Sequence, residues 1–345
     1  MNTMRRTCLA AATLALSLSS LLAAAPAAAQ EIKERVIRWG HLTNPGHPIS
    51  LGVQKFAEIL DQKSGGKMKV REHGSSQLGN EQQQQGALRG GTQEMFTNSP
   101  TSLVGLVKEF GALDLPFSFA SIDEATSLVD GPFGKLLIDK LAEKDIVGLA
   151  FWDLGGFRNV TNSKRPITRL EDFDGLKVRV IGNPVYLETF KLLGTNPVPM
   201  AFTEVYTALE TKAIDGQENP HSIILSTKFY EVQKYLSLTN HTFSMNLVQV
   251  SRKFWDTLSP TEQRLMREAA AEATAYQRKV ALEQTQGAVA DLKAKGMAIN
   301  EVAPAELARM RQATASVGEK FLAQYEPQVV QLYQSELAKA RSKAK

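Results

Sequence analysis

Cysteine is almost absent from this 345-residue chain, and Cys8 is the only one. It lies within the first thirty residues, where Arg5 and Arg6 precede an apolar run and a small-residue stretch that ends at Ala29. This order is typical of a secretory signal peptide, residues 1–29, with cleavage expected after Ala29. A membrane anchor is the alternative, but the run is short for a span. The mature chain then has no disulfides, no thiolate metal site and no cysteine nucleophile.

The chain also lacks a large excess of positive or negative residues. The chain has 40 basic and 36 acidic residues, and the mature part would keep 38 and 36. This balance gives little support to nucleic-acid binding. No later segment is apolar for long enough to cross a membrane. A secreted chain of about 315 residues without disulfides must be stable by burial alone, and its length suggests two lobes.

The common catalytic and nucleotide-binding motifs are missing as well. The sequence contains no G-x-S-x-G, H-E-x-x-H, G-x-G-x-x-G or G-x-x-x-x-G-K-[ST] pattern. Its five histidines include no set with the spacing of a zinc site. We therefore expect no metal, no cofactor and no enzymatic activity, and we expect the histidines to be solvated or packed.

Hydrophobic periodicity predicts an α/β protein. The chain begins with predicted strands at 35–42, 67–72 and 93–97, separated by predicted helices at 48–63 and 81–89. This alternation indicates a lobe built on a largely parallel sheet. The pattern returns later, with strands predicted at 146–153, 176–181, 213–217, 235–239 and 247–251, and helices at 184–193 and 203–211.

One predicted helix is unusually long. Ser259 and Glu262 form a capping-box pattern, Pro260 suits the first helical position, and no strong helix breaker follows before Gly296. Such a helix would measure about 50 Å at 1.5 Å per residue, so we expect it to span two lobes. A coiled coil is the alternative, but the alanine-rich apolar positions do not keep a clean heptad.

Six short motifs occur in order along the chain. They are SSQLG at 75–79, GFRNVTN at 156–162, GLKVRV at 175–180, PVPMAFTEVY at 197–206, DGQENP at 215–220 and KFYEVQK at 228–234. Together they resemble the solute-binding proteins of TRAP (tripartite ATP-independent periplasmic) transporters, over nearly all of the mature chain.

The resemblance implies a two-lobed α/β clamshell whose cleft closes on a ligand. Two crossing strands and the long helix would join the lobes. We expect lobe I to comprise 30–156 plus 245–284, and lobe II to comprise 157–244 plus 285–345. The resemblance also implies a periplasmic protein that works with membrane permease subunits, and we expect a monomer.

Arg179 is the first candidate for ligand binding. Strand alternation places it on the face opposite Val178 and Val180. A buried arginine needs an anionic partner, and its guanidinium can give a carboxylate two parallel hydrogen bonds. Spacing alone leaves an internal salt bridge equally open. The resemblance implies that this arginine pairs with the ligand carboxylate.

The resemblance also implies two co-ligands. Arg158 would give a second contact, although it could instead hold its loop after the glycine pair. Asn219 would bind a carboxylate or hydroxyl group, because its amide can both donate and accept. Glu218 is disfavoured, since an uncompensated carboxylate would repel an anion.

Further candidates for the cleft are aromatic or polar residues at predicted strand ends. Phe202 could stack on the ligand or belong to the core. Asn98 stands where sialic-acid-binding and uronate-binding relatives often have a glutamate, which makes a simple uronate or sialate assignment doubtful. Asp153 could accept ligand hydroxyls in place of that acid. Trp152 and His41 are candidates of the same kind.

These observations predict an extracytoplasmic receptor that binds a small monocarboxylate without chemical change. A sugar acid such as a uronate or aldonate is the first expectation. Aromatic or keto acids, C4-dicarboxylates and a ligand-sensing role in the periplasm remain open.

Overall fold

The computed structural model describes residues 31–343, which form one mixed sheet with helices around it. The strands of these residues are β1 (Arg35–His41), β2 (Met68–His73), β3 (Met95–Asn98), β4 (Ile146–Asn162), β5 (Lys177–Val180), β6 (Asn196–Pro199), β7 (Gly216–Asn219), β8 (Tyr235–Ser251) and β9 (Ala298–Glu301). Their order is β2-β1-β3-β8-β4-β7-β5-β6, and β9 pairs with β8. The outer strands pair in parallel, as the alternating pattern predicts.

The helices match the predictions best where caps mark their ends. They are α1 (Pro48–Lys63), α2 (Glu81–Gly90), α3 (Ile122–Asp130), α4 (Pro132–Leu141), α5 (Pro184–Leu192), α6 (Val205–Glu210), α7 (His221–Ser226), α8 (Arg252–Trp255), α9 (Pro260–Ala294), α10 (Pro304–Ala313), α11 (Ala315–Leu322) and α12 (Pro327–Lys343). The predictions did not include α3, α4, α7, α8 or α10–α12. Within 31–343, no helix combines the length and apolar character that a membrane span needs.

Strands β4 and β8 are the long central strands, with 17 residues each, and they pair antiparallel. The predictions of a short strand at 146–153 and of two separate strands at 235–239 and 247–251 are therefore wrong in extent. Gly155 and Gly156 do not end β4 but form a bulge in it, with φ of +123° and +88°. The register shifts there, between Asp153 and Phe157. A glycine pair in a strand can mark such a bulge as well as a turn.

The long helix α9 begins at the predicted capping box, in which Ser259 and Glu262 bond to each other's backbone. It packs against α1, α7 and β4. It therefore contacts elements from both predicted lobes as a single packed helix, not as a coiled coil.

The C-terminal helix α12 packs on α3 and α4, and Tyr333 and Leu337 share an apolar cluster with Leu128 and Phe133. The predicted lobe II included this segment, whereas its packing places it with helices of predicted lobe I. The physical reason for this placement is that apolar side chains of α12 bury apolar side chains of α3 and α4. The other boundaries remain predictions.

Candidate functional site

A partly open cavity lies at the carboxyl ends of β3, β5 and β7, beside the middle of the central strands β4 and β8. Its charged lining residues are Glu81, Arg158 and Arg179. Its polar lining residues are Thr43, Thr97, Asn98, Ser99, Ser102, Asn219 and Asn246, and the apolar ones are Leu42, Leu154, Ile181, Phe202 and Ile223. Five of the eight candidates, Arg179, Arg158, Asn219, Phe202 and Asn98, thus come together at one cavity.

Arg179 extends from β5 and is 1 % exposed. Its Nε and Nη2 donate hydrogen bonds of 3.0 and 2.7 Å to the carbonyl oxygen of Met200, and its guanidinium carbon lies 6.0 Å from the centre of the Phe202 ring. No salt bridge to Arg179 occurs within residues 31–343. Burial lowers the pKa of Arg179 to about 10, although the nearby carboxylates of Glu218 and Glu81 act in the opposite direction. The internal salt bridge that the sequence left open is not formed by the described residues.

Arg158, on β4, is equally buried but already paired. Its Nε lies 2.5 Å from Oε2 of Glu218, and its Nη2 lies 2.7 Å from Oε1 of the same carboxylate. Its Nη1 donates to Oγ of Ser244 at 3.0 Å. Burial acts to lower the pKa of Arg158, but the Glu218 carboxylate outweighs it and raises that pKa above the ordinary value.

Glu218 is therefore a compensated carboxylate, contrary to the premise that disfavoured it. It lies on β7 and also contacts Nε2 of His241 at 3.0 Å. Burial acts to raise its pKa, but Arg158 and His241 hold it below the ordinary value. The pair forms across the β4–β7 pairing, where Val160 is opposite Glu218.

The remaining cavity candidates offer amides and an aromatic ring. Asn219, at the end of β7, donates from Nδ2 to Oε1 of Gln217 at 2.5 Å. Asn98, at the end of β3, donates to Oγ of Ser102 at 2.9 Å. Phe202 lines the cavity and also packs against the core. Phe202 therefore borders both the cavity and the core, and its stacking on a ligand stays a prediction.

His41 and Trp152 do not line the cavity, which corrects their prediction as cleft residues. Nε2 of His41 lies 2.9 Å from a Glu72 oxygen, and its Nδ1 lies 2.9 Å from Oγ1 of Thr43. Trp152 stacks on Trp39 with 5.7 Å between ring centres. Both residues are buried in contacts between neighbouring elements. Alternation along a strand shows which residues share a face, but it does not show which buried face borders a cavity.

Asp153 is also placed elsewhere. Its Oδ1 accepts the backbone N–H groups of Gly155 and Gly156 at 2.7 and 2.8 Å. The side-chain amide of Gln277, on α9, bonds both the N–H and the carbonyl of Asp153. Asp153 therefore stabilises the β4 bulge and does not present its carboxylate to the cavity.

Glu81 is the charged cavity residue that sequence reasoning missed. It is the first residue of α2, directly after the Asn80 cap, and both of its oxygens accept from the N–H of Phe202, at 3.1 and 3.3 Å. Its position two residues beyond the SSQLG motif was the available signal. In the described part of the chain, no three His, Cys, Asp or Glu side chains are grouped as a metal site.

Comparison with known proteins places this geometry in a family. Residues 39–324 match the model of the bacterial extracellular solute-binding proteins, family 7. A sugar acid binding protein from Advenella mimigardefordensis, solved with galactonate, has a TM-score of 0.87 and 40 % identity, covering 90 % of this chain and 99 % of that one. Its two-lobed α/β fold agrees with the prediction.

Two further relatives are named for different ligands. The 2,3-diketo-L-gulonate-binding periplasmic protein YiaO of Escherichia coli is 38 % identical, with 76 % of this chain and 80 % of that protein covered. The C4-dicarboxylate-binding periplasmic protein DctP of Rhodobacter capsulatus is 35 % identical, with 80 % and 82 % covered. The relatives are transport proteins rather than enzymes. The chain belongs to family 7 of the bacterial extracellular solute-binding proteins, the receptors of TRAP transporters.

Proposed function

We propose that this receptor binds a sugar acid, an aldonate or a uronate, through its carboxylate on Arg179 and delivers it to a TRAP permease. The observation that carries the proposal is a buried guanidinium that lines the cavity and, among the described residues, is bonded only to the Met200 carbonyl. An unpaired buried charge is costly, so a ligand carboxylate at this position relieves the cost and gains charge-assisted hydrogen bonds.

The rest of the lining suits the hydroxyl groups of a sugar acid. Asn98, Asn219 and Asn246 offer amides, and Ser99 and Ser102 offer hydroxyl groups. Each of these groups can accept from or donate to a hydroxyl. Relatives that bind galactonate and 2,3-diketogulonate support the same ligand class.

Ligand binding is coupled to closure because both halves of the chain line the cavity. Contacts that form only when both walls meet the ligand stabilise the closed state by the difference in affinity between the two states. The closed receptor then docks on the permease as a monomer. We also propose that residues 1–29, which lie outside the described residues, are a cleaved signal peptide that directs the chain to the periplasm.

A thermal-shift screen of the mature protein tests the ligand class. The library contains aldonates, uronates, keto acids, aromatic acids and C4-dicarboxylates. We expect the largest stabilisation from an aldonate or uronate. A larger shift with succinate or malate would instead support the dicarboxylate specificity of one relative.

Replacing Arg179 tests the carboxylate contact itself. Arg179→Ala should weaken binding by about a hundredfold or more, since each lost charge-assisted bond contributes roughly 1.5–3 kcal/mol. Arg179→Lys should recover only part of the lost affinity, because a lysine keeps the charge but cannot give a carboxylate two parallel hydrogen bonds. Arg38→Ala is the matched control, because Arg38 forms a surface ion pair with Glu94. Calorimetry showing unchanged affinity in Arg179→Ala would refute the contact.

A further inference from the structure

Asp114 is a buried acid that hydroxyl groups connect to the cavity. It is the last residue of the 3₁₀ helix Lys108–Asp114 and is 5 % exposed. Oγ1 of Thr101 lies 2.8 Å from Oδ1 of Asp114, and Oγ of Ser99 lies 2.9 Å from Oγ1 of Thr101. Ser99 lines the cavity, whereas Asp114 and Thr101 do not. The hydroxyl groups of Ser99 and Thr101 form a relay between the carboxyl group and the cavity wall.

Asn183 determines which oxygen of Asp114 can hold a proton. Oδ1 of Asn183 accepts from the N–H of Val185 at 2.7 Å, so its Nδ2 is the atom that donates to Oδ2 of Asp114 at 2.7 Å. An amide nitrogen donates and cannot accept. A proton on the neutral acid therefore lies on Oδ1, where it faces the hydroxyl group of Thr101.

The same asparagine places the relay near the proposed carboxylate site. Nδ2 of Asn183 also donates to the carbonyl oxygen of Thr101 at 3.2 Å. Asn183 follows β5, the strand that carries Arg179, and Ser99 and Arg179 line one cavity. A ligand carboxylate on Arg179 would therefore lie near the Ser99 hydroxyl group.

The proton on Asp114 sets the direction of the hydrogen bonds in the relay. An ionised carboxylate only accepts, so Thr101 donates to Asp114 and Ser99 donates to Thr101. A protonated Asp114 donates to Thr101, Thr101 donates to Ser99, and the Ser99 hydrogen becomes available for an acceptor in the cavity. Hydroxyl hydrogens rotate, so this reversal needs no movement of the oxygen atoms.

The charged and phenolic groups around Asp114 keep their charges near neutral pH. Burial raises the pKa of Asp114 to about 7, and Arg158 and Glu218 act on that pKa in opposite directions. The pKa of Arg158 lies above its ordinary value and that of Glu218 below it. Burial raises the pKa of Tyr186 and of Tyr325, so both phenols stay neutral. Among these groups, Asp114 is the one that changes charge near pH 7.

We propose that Asp114 is a positioning residue that controls, through Thr101, whether Ser99 donates a hydrogen bond to the ligand carboxylate. This inference rests on the proposed function, because it takes Arg179 as the carboxylate site. A carboxylate can only accept, so it binds more tightly to a donating Ser99. Proton binding to Asp114 and ligand binding then favour each other by the same factor.

A direct charge effect is the competing explanation. An ionised Asp114 would also repel a ligand carboxylate across a buried region, without any part for the relay. Ser99→Ala separates the two explanations, because it removes the hydroxyl group at the cavity and leaves Asp114 in place. Asp114→Asn removes the titration, and its amide can donate to Thr101 as the protonated acid does.

The experiment measures the affinity of the mature protein for galactonate by calorimetry at pH 6 and pH 8. A tenfold preference of the ligand for protonated Asp114, whose pKa is about 7, gives about fivefold tighter binding at pH 6 than at pH 8. We expect this ratio in the wild type, and a ratio below about twofold in Ser99→Ala and in Asp114→Asn. Asp114→Asn should keep at pH 8 the affinity that the wild type has at pH 6.

Ser102→Ala is the matched control for the loss of a serine hydroxyl. Ser102 also lines the cavity, but it donates to the carbonyl oxygen of Ser99 at 2.9 Å and is not part of the relay. Whatever affinity Ser102→Ala retains, it should show the same pH ratio as the wild type.

Two results would overturn the proposal while leaving the Arg179 contact in place. One is equal wild-type affinity at pH 6 and pH 8, and the other is an unchanged pH ratio in Ser99→Ala or in Asp114→Asn. If the thermal-shift screen selects another acid, that acid replaces galactonate. If no acid in the library binds the wild type at pH 6, the proposed function itself fails, and the role of Asp114 fails with it.

Discussion

Arg158 and Arg179 are two arginines of one cavity with the same burial, each 1 % exposed, and with opposite surroundings. Arg158 faces a carboxylate of its own chain at two points. Arg179 faces a carbonyl oxygen. The pKa of the first is raised by Glu218, and the pKa of the second is lowered to about 10 by burial. The partner, not the depth of burial, distinguishes a structural cation from one that can bind a ligand.

The comparison predicts its largest effect in the stability of the unliganded protein. Arg158→Met should lower the free energy of unfolding by about 3–5 kcal/mol, because it leaves Glu218 buried without its guanidinium. Arg179→Met should leave the free energy of unfolding unchanged or raise it, because it removes an uncompensated charge. Urea denaturation of the ligand-free mature protein measures both.

The double variant Arg158→Met, Glu218→Met provides the control for that result. It should recover much of the lost stability, since neither buried charge remains. Equal losses in Arg158→Met and Arg179→Met would contradict the distinction between the two arginines.

A second prediction concerns Asp114, a buried acid near Arg158. Its oxygens accept hydrogen bonds from Thr101 and Asn183 at 2.8 and 2.7 Å, and burial raises its pKa to about 7. Between about pH 4 and pH 7 the folded state therefore binds a proton that the unfolded state has released, so this group lowers the free energy of unfolding as pH rises. This decrease in the free energy of unfolding is complete once the pH is above about 7.

Asp114→Asn should remove this loss, because asparagine resembles the protonated acid. The variant should become more stable than the wild type by on the order of 4 kcal/mol at pH 8, since the pKa of Asp114 is raised by about three units and one unit corresponds to about 1.4 kcal/mol. The difference should shrink as the pH approaches 4. Asp139→Asn, which changes an exposed acid, serves as the control in the same pH series. A difference between Asp114→Asn and the wild type that does not vary with pH would refute the assignment.

The smallest of the three effects concerns the bulge that precedes Arg158. A Cβ on Gly155 would lie 1.9 Å from Oγ of Ser222, whereas one on Gly156 would lie 3.4 Å from the nearest atom. Both glycines have a positive φ, so Gly155→Ala should cost about 1–3 kcal/mol, and Gly156→Ala should cost less because it adds strain without the clash. Thermal denaturation of both variants tests this order, and the reverse order would show that strain outweighs the close approach.

The fold was predictable where local signals are strong. Helix α1 has the predicted bounds, and α9 begins at the predicted Ser259 cap. Helix caps and hydrophobic periodicity are encoded within a few residues, so predictions based on them depend little on the packing of the rest of the chain. The glycine pair in β4 was ambiguous, because the same residues suit a turn or a bulge, and only pairing with β8 decides between them.

The candidate site was predictable only in part, because local motifs identify residues but not their distant partners. The motifs located Arg179, Arg158 and Asn219, which do line one cavity. They could not show that Arg158 is already paired, because its partner Glu218 is 60 residues away. The carboxylate of Asp153 was predictable as a polar group near the cleft, but not as the acceptor of two backbone N–H groups.

The sequence by itself determined the α/β class, the long capped helix, the secretion signal as a prediction and the set of residues from which a carboxylate site could be built. Tertiary structure alone decided which of these charges are paired with an opposite charge of the same chain. Arg158 meets Glu218 through strand pairing, Arg179 meets no acid within the described residues, and Glu81 faces the same cavity from a separate helix. Such pairings depend on long-range packing, because the sign and distance of a neighbouring charge are properties of the folded chain and not of the local sequence.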